Sequence, residues 1–153
     1  MRIYSSHDIV AGSGIGEMRP PRQGVDRCTN HFTLQEAGRL SDEDARRLCW
    51  LDAFGALIAN TDRHQYNVLF FAEGSRLRLA PAFDQVSVLY APTGDGQVPP
   101  REFMLPHPAA NTLDVWESAR DAARQFWTQG SEDMRLSDDA RLFCASNMKL
   151  FGK

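Results

Sequence analysis

The stretch Asn60–Asp84 constrains the fold more than any other part of the sequence. Two short β-prone runs, Val68–Phe71 and Arg76–Leu79, lie on either side of Ala72–Ser75, a four-residue segment that contains glycine. This pattern predicts an antiparallel β-hairpin. The polar segment that leads into it follows the apolar run Phe54–Ala59. We therefore expect a loop between two buried elements.

The polar side chains of this stretch are predicted to converge. Asn67 enters the hairpin and Asp84 follows its exit, so closure of the hairpin brings a carboxamide and a carboxylate to the same end. Asp62 lies five residues before Asn67, within reach of both. Such oxygen donors suit a hard cation such as magnesium, which also binds phosphate oxygens. The pattern predicts a metal-assisted phosphate site.

Two segments of the stretch carry a family resemblance. Taken together, NTDRHQYN (Asn60–Asn67) and LAPAFD (Leu79–Asp84) resemble the catalytic core of the HipA-like serine/threonine kinases. These enzymes are toxins of bacterial toxin-antitoxin pairs with a distant version of the protein-kinase fold. The resemblance covers roughly residues 41–147.

The resemblance implies a role for each polar residue. Asp62 matches the catalytic-loop aspartate that accepts the proton of the substrate hydroxyl. Asn67 and Asp84 match the two residues that bind the metal and, through it, ATP. His64 matches the histidine inside the family loop, with a positioning role. The implied cofactors are Mg²⁺ and ATP.

The remainder of the chain is predicted to be mainly α-helical. Ser41 caps a first helix that ends near Asn60, and a second covers Asp114–Thr128 with Gly130 as its C-cap. Ser137 caps a third. We expect a mainly α fold with a small β-hairpin, and the resemblance implies a protein-kinase-like C-terminal lobe of the HipA type.

The predicted domain division is a poorly defined N-terminal arm, residues 1–40, and a HipA-like lobe, residues 41–153. The glycines of Gly12–Gly16 lack the full spacing of a nucleotide fingerprint, which favours a flexible arm or loop. A protein kinase also needs a strand lysine that pairs with the phosphates. The chain has only two lysines, Lys149 and Lys153. A complete HipA-like kinase is much longer, so the resemblance implies that this chain is the C-terminal lobe alone.

Charge and composition narrow the partners and the compartment. A net charge of -3 and a pI near 5.8 give no electrostatic footprint for nucleic acid. No apolar run approaches the roughly 18 residues of a membrane-spanning helix, and the N-terminus lacks a signal pattern. These features predict a cytoplasmic protein that binds no nucleic acid directly. The three scattered cysteines favour reduced thiols.

Four charged residues near the stretch have structural interpretations. Asp52, within the first helix, is a candidate partner of the polar loop. Contact with phosphate or a protein substrate is one interpretation of Arg63, Arg76 and Arg78. The expectation is that they are solvated, as charges on an exposed hairpin face usually are.

Three functions fit this pattern. The first is a partial catalytic domain that transfers the ATP γ-phosphate to a protein hydroxyl. The second is a catalytically impaired module that pairs with an antitoxin or with a separate N-lobe chain. The third is a metal-dependent hydrolase or nuclease built on the same polar cluster. The lack of a basic patch argues against nucleic acid as its substrate.

Overall fold

A computed structural model describes residues 3–5, 34–64, 67–97 and 99–152. The strands are β1 (Ile3–Ser5), β2 (Leu69–Glu73) and β3 (Arg76–Leu79); the α-helices are α1 (Asp42–Leu57), α2 (Trp116–Glu132) and α3 (Asp138–Leu150); 3-10 helices cover Val88–Tyr90 and Ala110–Thr112. The described part of the chain is mainly helical with a small antiparallel sheet, as predicted. None of its helices is both long and apolar enough to cross a membrane.

The predicted N-terminal arm falls largely outside the described residues. Gly12–Gly16 lies there in full. The described parts of the arm are β1 and residues 34–40, of which 34–36 are helical. The domain boundary at residue 40 stays a prediction.

The sheet contains the predicted hairpin and one further strand. Strand β2 lies in the middle and pairs antiparallel with both β1 and β3. Phe70 is opposite Leu79 and Glu73 is opposite Arg76, which leaves a two-residue turn rather than the predicted four. Gly74 begins this turn with a φ of 64°, a left-handed conformation that glycine adopts without steric cost. Strand β1 was not predicted.

The chain divides into two compact units. The first comprises Met1–Asp52 and Asp62–Gln85, and the second comprises Ala53–Thr61 and Val86–Lys153. The core of the first unit joins apolar residues of α1, of the segment before it and of the hairpin: Leu34, Leu40, Ala45, Leu48, Val68, Phe70 and Leu77. This core fixes the hairpin against the first turns of α1.

The start of α1 is capped as predicted. Ser41 Oγ accepts a hydrogen bond from the backbone N–H of Asp44 at 3.1 Å. Asp42, Glu43 and Asp44 place negative charge in the first turn, where the helix dipole favours it.

A Schellman motif terminates α1 within the second unit. The N–H of Asn60 donates to the carbonyl of Gly55 at 2.9 Å, and the N–H of Ala59 donates to Ala56 at 3.2 Å. Ala59 has a φ of 59°, unusual for a residue with a Cβ atom. Leu57 is the last helical residue. This turn ends the helix where the sequence becomes polar.

The outer edge of β3 is covered by the segment around α1. The N–H of Leu77 donates to the carbonyl of Arg39 at 2.8 Å. The next outward-facing N–H, that of Leu79, donates to Asp44 Oδ2 at 3.1 Å. Asp44 is only 6% exposed. Its carboxylate takes the place of the backbone acceptor that a further strand would supply at this edge.

Replacement of Asp44 should destabilise the protein. Asp44→Ala leaves the half-buried N–H of Leu79 without this acceptor, and we expect a loss of about 1–3 kcal/mol in the free energy of unfolding. Glu43→Ala is the matched control, since Glu43 lies in the same helical turn but is exposed. Its effect should stay within about 0.5 kcal/mol. Urea denaturation measures both; equal effects would contradict this role for Asp44.

The second unit is organised around aromatic side chains. Trp127 is fully buried, and its indole N–H donates to the carbonyl of Leu57 at 3.0 Å. Tyr90 stacks on Phe143 with ring centroids 4.3 Å apart and exchanges hydrogen bonds with Asn147. Burial raises the pKa of Tyr90, and the hydrogen bond with Asn147 partly opposes that rise. Tyr90 also meets Trp127 edge-to-face, with ring centroids 6.2 Å apart, so α2, α3 and the Val88–Tyr90 turn are tied together.

The prediction that Gly130 caps α2 is wrong. The helix continues to Glu132, and Asp133 ends it in an extended conformation. A Cβ atom on Gly130 would lie 2.8 Å from Cys144 Sγ. The glycine is therefore explained by the close packing of α2 on α3, because no larger residue fits there without movement.

This packing predicts a coupled pair of substitutions. Gly130→Ala alone should destabilise the protein by about 1 kcal/mol, because the steric conflict with Cys144 outweighs the gain in helix propensity. In a Cys144→Ala background the conflict is gone, so the same change should stabilise by up to about 1 kcal/mol. Thermal unfolding of the four variants in the cycle measures the coupling. If Gly130→Ala destabilises the protein in both backgrounds, the packing explanation is contradicted.

The prediction of reduced thiols is confirmed for Cys144 but not for Cys49. Cys144 is a free, buried thiol, and burial raises its pKa. Cys49 is disulfide-bonded. The prediction is therefore wrong for Cys49.

Candidate active site

The polar loop that precedes the hairpin is folded into short turns. The N–H of His64 donates to the carbonyl of Asp62 at 3.1 Å. The N–H of Asn67 donates in turn to the carbonyl of His64, also at 3.1 Å. These bonds hold three of the predicted site residues within one compact segment of the first unit.

Asn67 joins this loop to the segment after the hairpin. Its side-chain Nδ2 donates to Asp84 Oδ2 at 2.9 Å and to the backbone carbonyl of Asp62 at 3.3 Å. The hairpin thus places Asn67 beside Asp84, as its closure predicts. With Nδ2 used in these contacts, Oδ1 is the atom of Asn67 with the chemistry of a metal ligand.

Asp84 adopts a strained backbone conformation. Its φ is 55°, in the left-handed region that residues with a side chain seldom enter, although aspartate does so more readily than most. Such outliers concentrate at functional sites, where the surrounding structure maintains them. No pattern in the sequence identifies this turn.

Asp62 and His64 are exposed to solvent, as is Asp84. His64 Nε2 lies 3.6 Å from Asp62 Oδ1, an ion pair when the imidazole is protonated. The side chain of His64 is 45% exposed and that of Asp62 is 56% exposed. A molecule in solution can therefore reach the Asp62 carboxylate.

Arg63 anchors the loop to α1. Its Nη1 donates to the backbone carbonyl of Asp52 at 3.0 Å and to Asp52 Oδ1 at 3.2 Å. The side chains are 29% and 8% exposed, so the contact is largely shielded from water. The prediction that Asp52 is a partner of the loop is confirmed. The prediction of a solvated Arg63 is wrong, because only the folded loop brings it to Asp52.

Loss of this anchor should weaken the fold and loosen the loop. Arg63→Ala withdraws a guanidinium from the buried Asp52 carboxylate, and we expect a loss of roughly 1.5–3 kcal/mol in the free energy of unfolding. Arg76→Ala, at an exposed position of β3, is the control and should change it by less than about 0.5 kcal/mol. Chemical denaturation measures both. A neutral Arg63→Ala would rule out the anchoring role.

The oxygen atoms of these side chains suit a hard cation whose remaining ligands are water molecules or substrate oxygens. No group of three His, Cys, Asp or Glu side chains in the described parts of the chain could hold a metal by itself. The side chains of Asn67 and Asp84 are instead in hydrogen-bond contact, and the backbone of Asp62 lies beside them. Mg²⁺ is commonly bound in this manner, by one or two carboxylates together with substrate phosphates.

Two of the comparisons with known proteins give a match. The family model for the HipA-like C-terminal domain matches residues 22–143, most of the chain. The chain is 32% identical to Toxin YjjJ of Escherichia coli (strain K12) over 89 residues, which are 58% of this chain and 20% of that toxin. The match thus spans about one fifth of the length of this toxin. The comparison with solved structures gives no significant match.

Proposed function

Because the chain belongs to the HipA-like C-terminal domain family, we propose that it is the catalytic segment of a serine/threonine protein kinase that transfers the ATP γ-phosphate to a protein hydroxyl. One observation supports this above the others: Asn67 Nδ2 lies 2.9 Å from Asp84 Oδ2 and also contacts the backbone of Asp62. The proposed base and the two proposed metal ligands thus share one small volume.

Asp62 accepts the proton of the substrate hydroxyl in this proposal. Its exposed carboxylate is accessible to a protein side chain, and the backbone contact from Asn67 fixes the position of its main chain. His64 acts as a positioning residue through its proximity to Asp62 Oδ1. Arg63 stabilises the loop between them.

Asn67 and Asp84 would hold Mg²⁺ through their side-chain oxygens. When bound, the ion neutralises the charge of the nucleotide phosphates and orients them. The hydrogen bond between the two side chains keeps both donors in place before the ion arrives. Such preorganisation matters because phosphoryl transfer depends mainly on positioning and electrostatic stabilisation.

A second proposal follows from the lysines. Lys149 and Lys153 are the only two in the chain, and both lie at its C-terminal end, far in sequence from the hairpin. A kinase uses a lysine on a strand to pair with the nucleotide phosphates. We therefore propose as an alternative that this segment binds a partner, an antitoxin or a separate N-lobe chain, and phosphorylates only with the latter.

Titration calorimetry with magnesium and ATP tests the metal-nucleotide site. Asp84→Asn should weaken binding by about tenfold or more, because it removes the charge that holds the ion. Asparagine retains an acceptor oxygen for Asn67, so the loop should keep its shape. Asp121→Asn is the control, since Asp121 is 66% exposed and lies on α2; it should bind as the unaltered chain does.

Two outcomes would count against independent catalysis. Equal affinity of the Asp84→Asn and Asp121→Asn variants would place nucleotide binding elsewhere. Absence of binding by the unaltered chain, restored on addition of an N-lobe polypeptide, would favour the partner-dependent alternative. Where binding is found, Asp62→Asn should abolish phosphoryl transfer while ATP affinity is kept.

A further inference from the structure

A pocket of about 410 Å³ lies in the first unit, lined by none of the residues proposed for phosphoryl transfer. One wall comes from α1, with Arg47, Trp50 and Leu51. The other comes from the end of β3 and the segment after it, Arg78 and Leu79–Ala82. A volume of this size falls within the range of roughly 300–1,000 Å³ that is typical of small-molecule sites.

The floor of the pocket is apolar. Arg47, Trp50 and Leu51 are spaced so that they share one face of α1. Trp50 and Leu51 are half-buried and Ala80 is buried. The indole supplies a flat surface on which an aromatic or apolar group can pack.

Among the residues that the structure describes, the charged groups that line the pocket are the guanidinium groups of Arg47 and Arg78. Arg47 pairs with Glu43 at 2.6 Å and Arg78 with Glu73 at 2.7 Å. All four side chains are about half exposed or more, so each pair contributes little. Arg78 also lies over the ring of Phe71, 4.7 Å from its centroid, which restricts its orientation.

Arg47 also contacts the buried Asp44 carboxylate at 3.4 Å. A guanidinium has five N–H donors, so each arginine retains donors for a further anion beside these carboxylates. Two such groups above an apolar floor match a ligand with two chemically different ends. The net charge of -3 disfavours general attraction of anions, so any anion binding here must come from this local arrangement.

We propose that this pocket binds a small amphipathic anion, with an aromatic or apolar body that packs on Trp50 and a carboxylate or phosphate group that Arg47 and Arg78 hold. The site is independent of the proposed kinase activity. Its ligand needs no magnesium, because the arginines neutralise the anion directly.

Phenyl phosphate serves as the probe, in magnesium-free buffer, with binding followed through indole N–H signals in ¹H–¹⁵N NMR spectra. The chain has three tryptophans. The Trp50 signal, assigned with Trp50→Phe, should shift saturably. Trp127 is the internal reference, because its N–H is buried and donates to Leu57, and it should not move. Inorganic phosphate carries only the anionic group and benzyl alcohol only the aromatic ring. Each should bind at least about tenfold more weakly than phenyl phosphate.

Charge variants on both walls complete the test. Arg78→Glu and Arg47→Ala should each weaken phenyl phosphate binding by about tenfold or more, since each removes a charge-assisted contact. Arg124→Glu is the control, since Arg124 is 56% exposed and lies on α2; it should leave affinity unchanged. The proposal is overturned by a Trp50 signal that does not shift, by benzyl alcohol or inorganic phosphate binding as tightly, or by equal affinity in the Arg78→Glu and Arg124→Glu variants.

Discussion

Closure of the hairpin is the constraint on which the candidate site depends. Asn67 and Asp84 are 17 positions apart in the chain, yet their side chains are in hydrogen-bond contact because β2 and β3 pair in one register. A shift of that register by one residue would turn the buried Phe70 away from the core. Burial of Phe70 in the core of the first unit therefore also sets the distance between the two proposed metal ligands.

Two buried carboxylates make α1 the support for this hairpin and its loop. Asp44 accepts from the backbone of β3, and Asp52 accepts from Arg63 in the loop. Each is almost fully buried, where a carboxylate without partners would be costly. The polar loop before the hairpin and the end of β3 are therefore both bonded to α1. The same contacts give the two buried carboxylates of α1 their hydrogen-bond partners.

Family membership and site geometry support the kinase proposal from different directions. The family match covers most of the chain, whereas the hydrogen bonds around Asn67 concern only a few side chains. The left-handed conformation of Asp84 adds a local feature of a kind that concentrates at functional sites. The pocket beside Trp50 is built on the same helix and strand, so one scaffold carries two chemically distinct surfaces.

Local patterns were enough to predict the hairpin, the caps at Ser41 and Ser137, and the meeting of Asn67 with Asp84, because turn chemistry and strand pairing act over short distances. Tertiary structure alone decided the rest. Arg63 reaches Asp52 only once the loop has folded, and Gly130 lies inside a helix because Cys144 packs against it. Such contacts join distant parts of the chain, and a local pattern carries no signal for a partner it does not include.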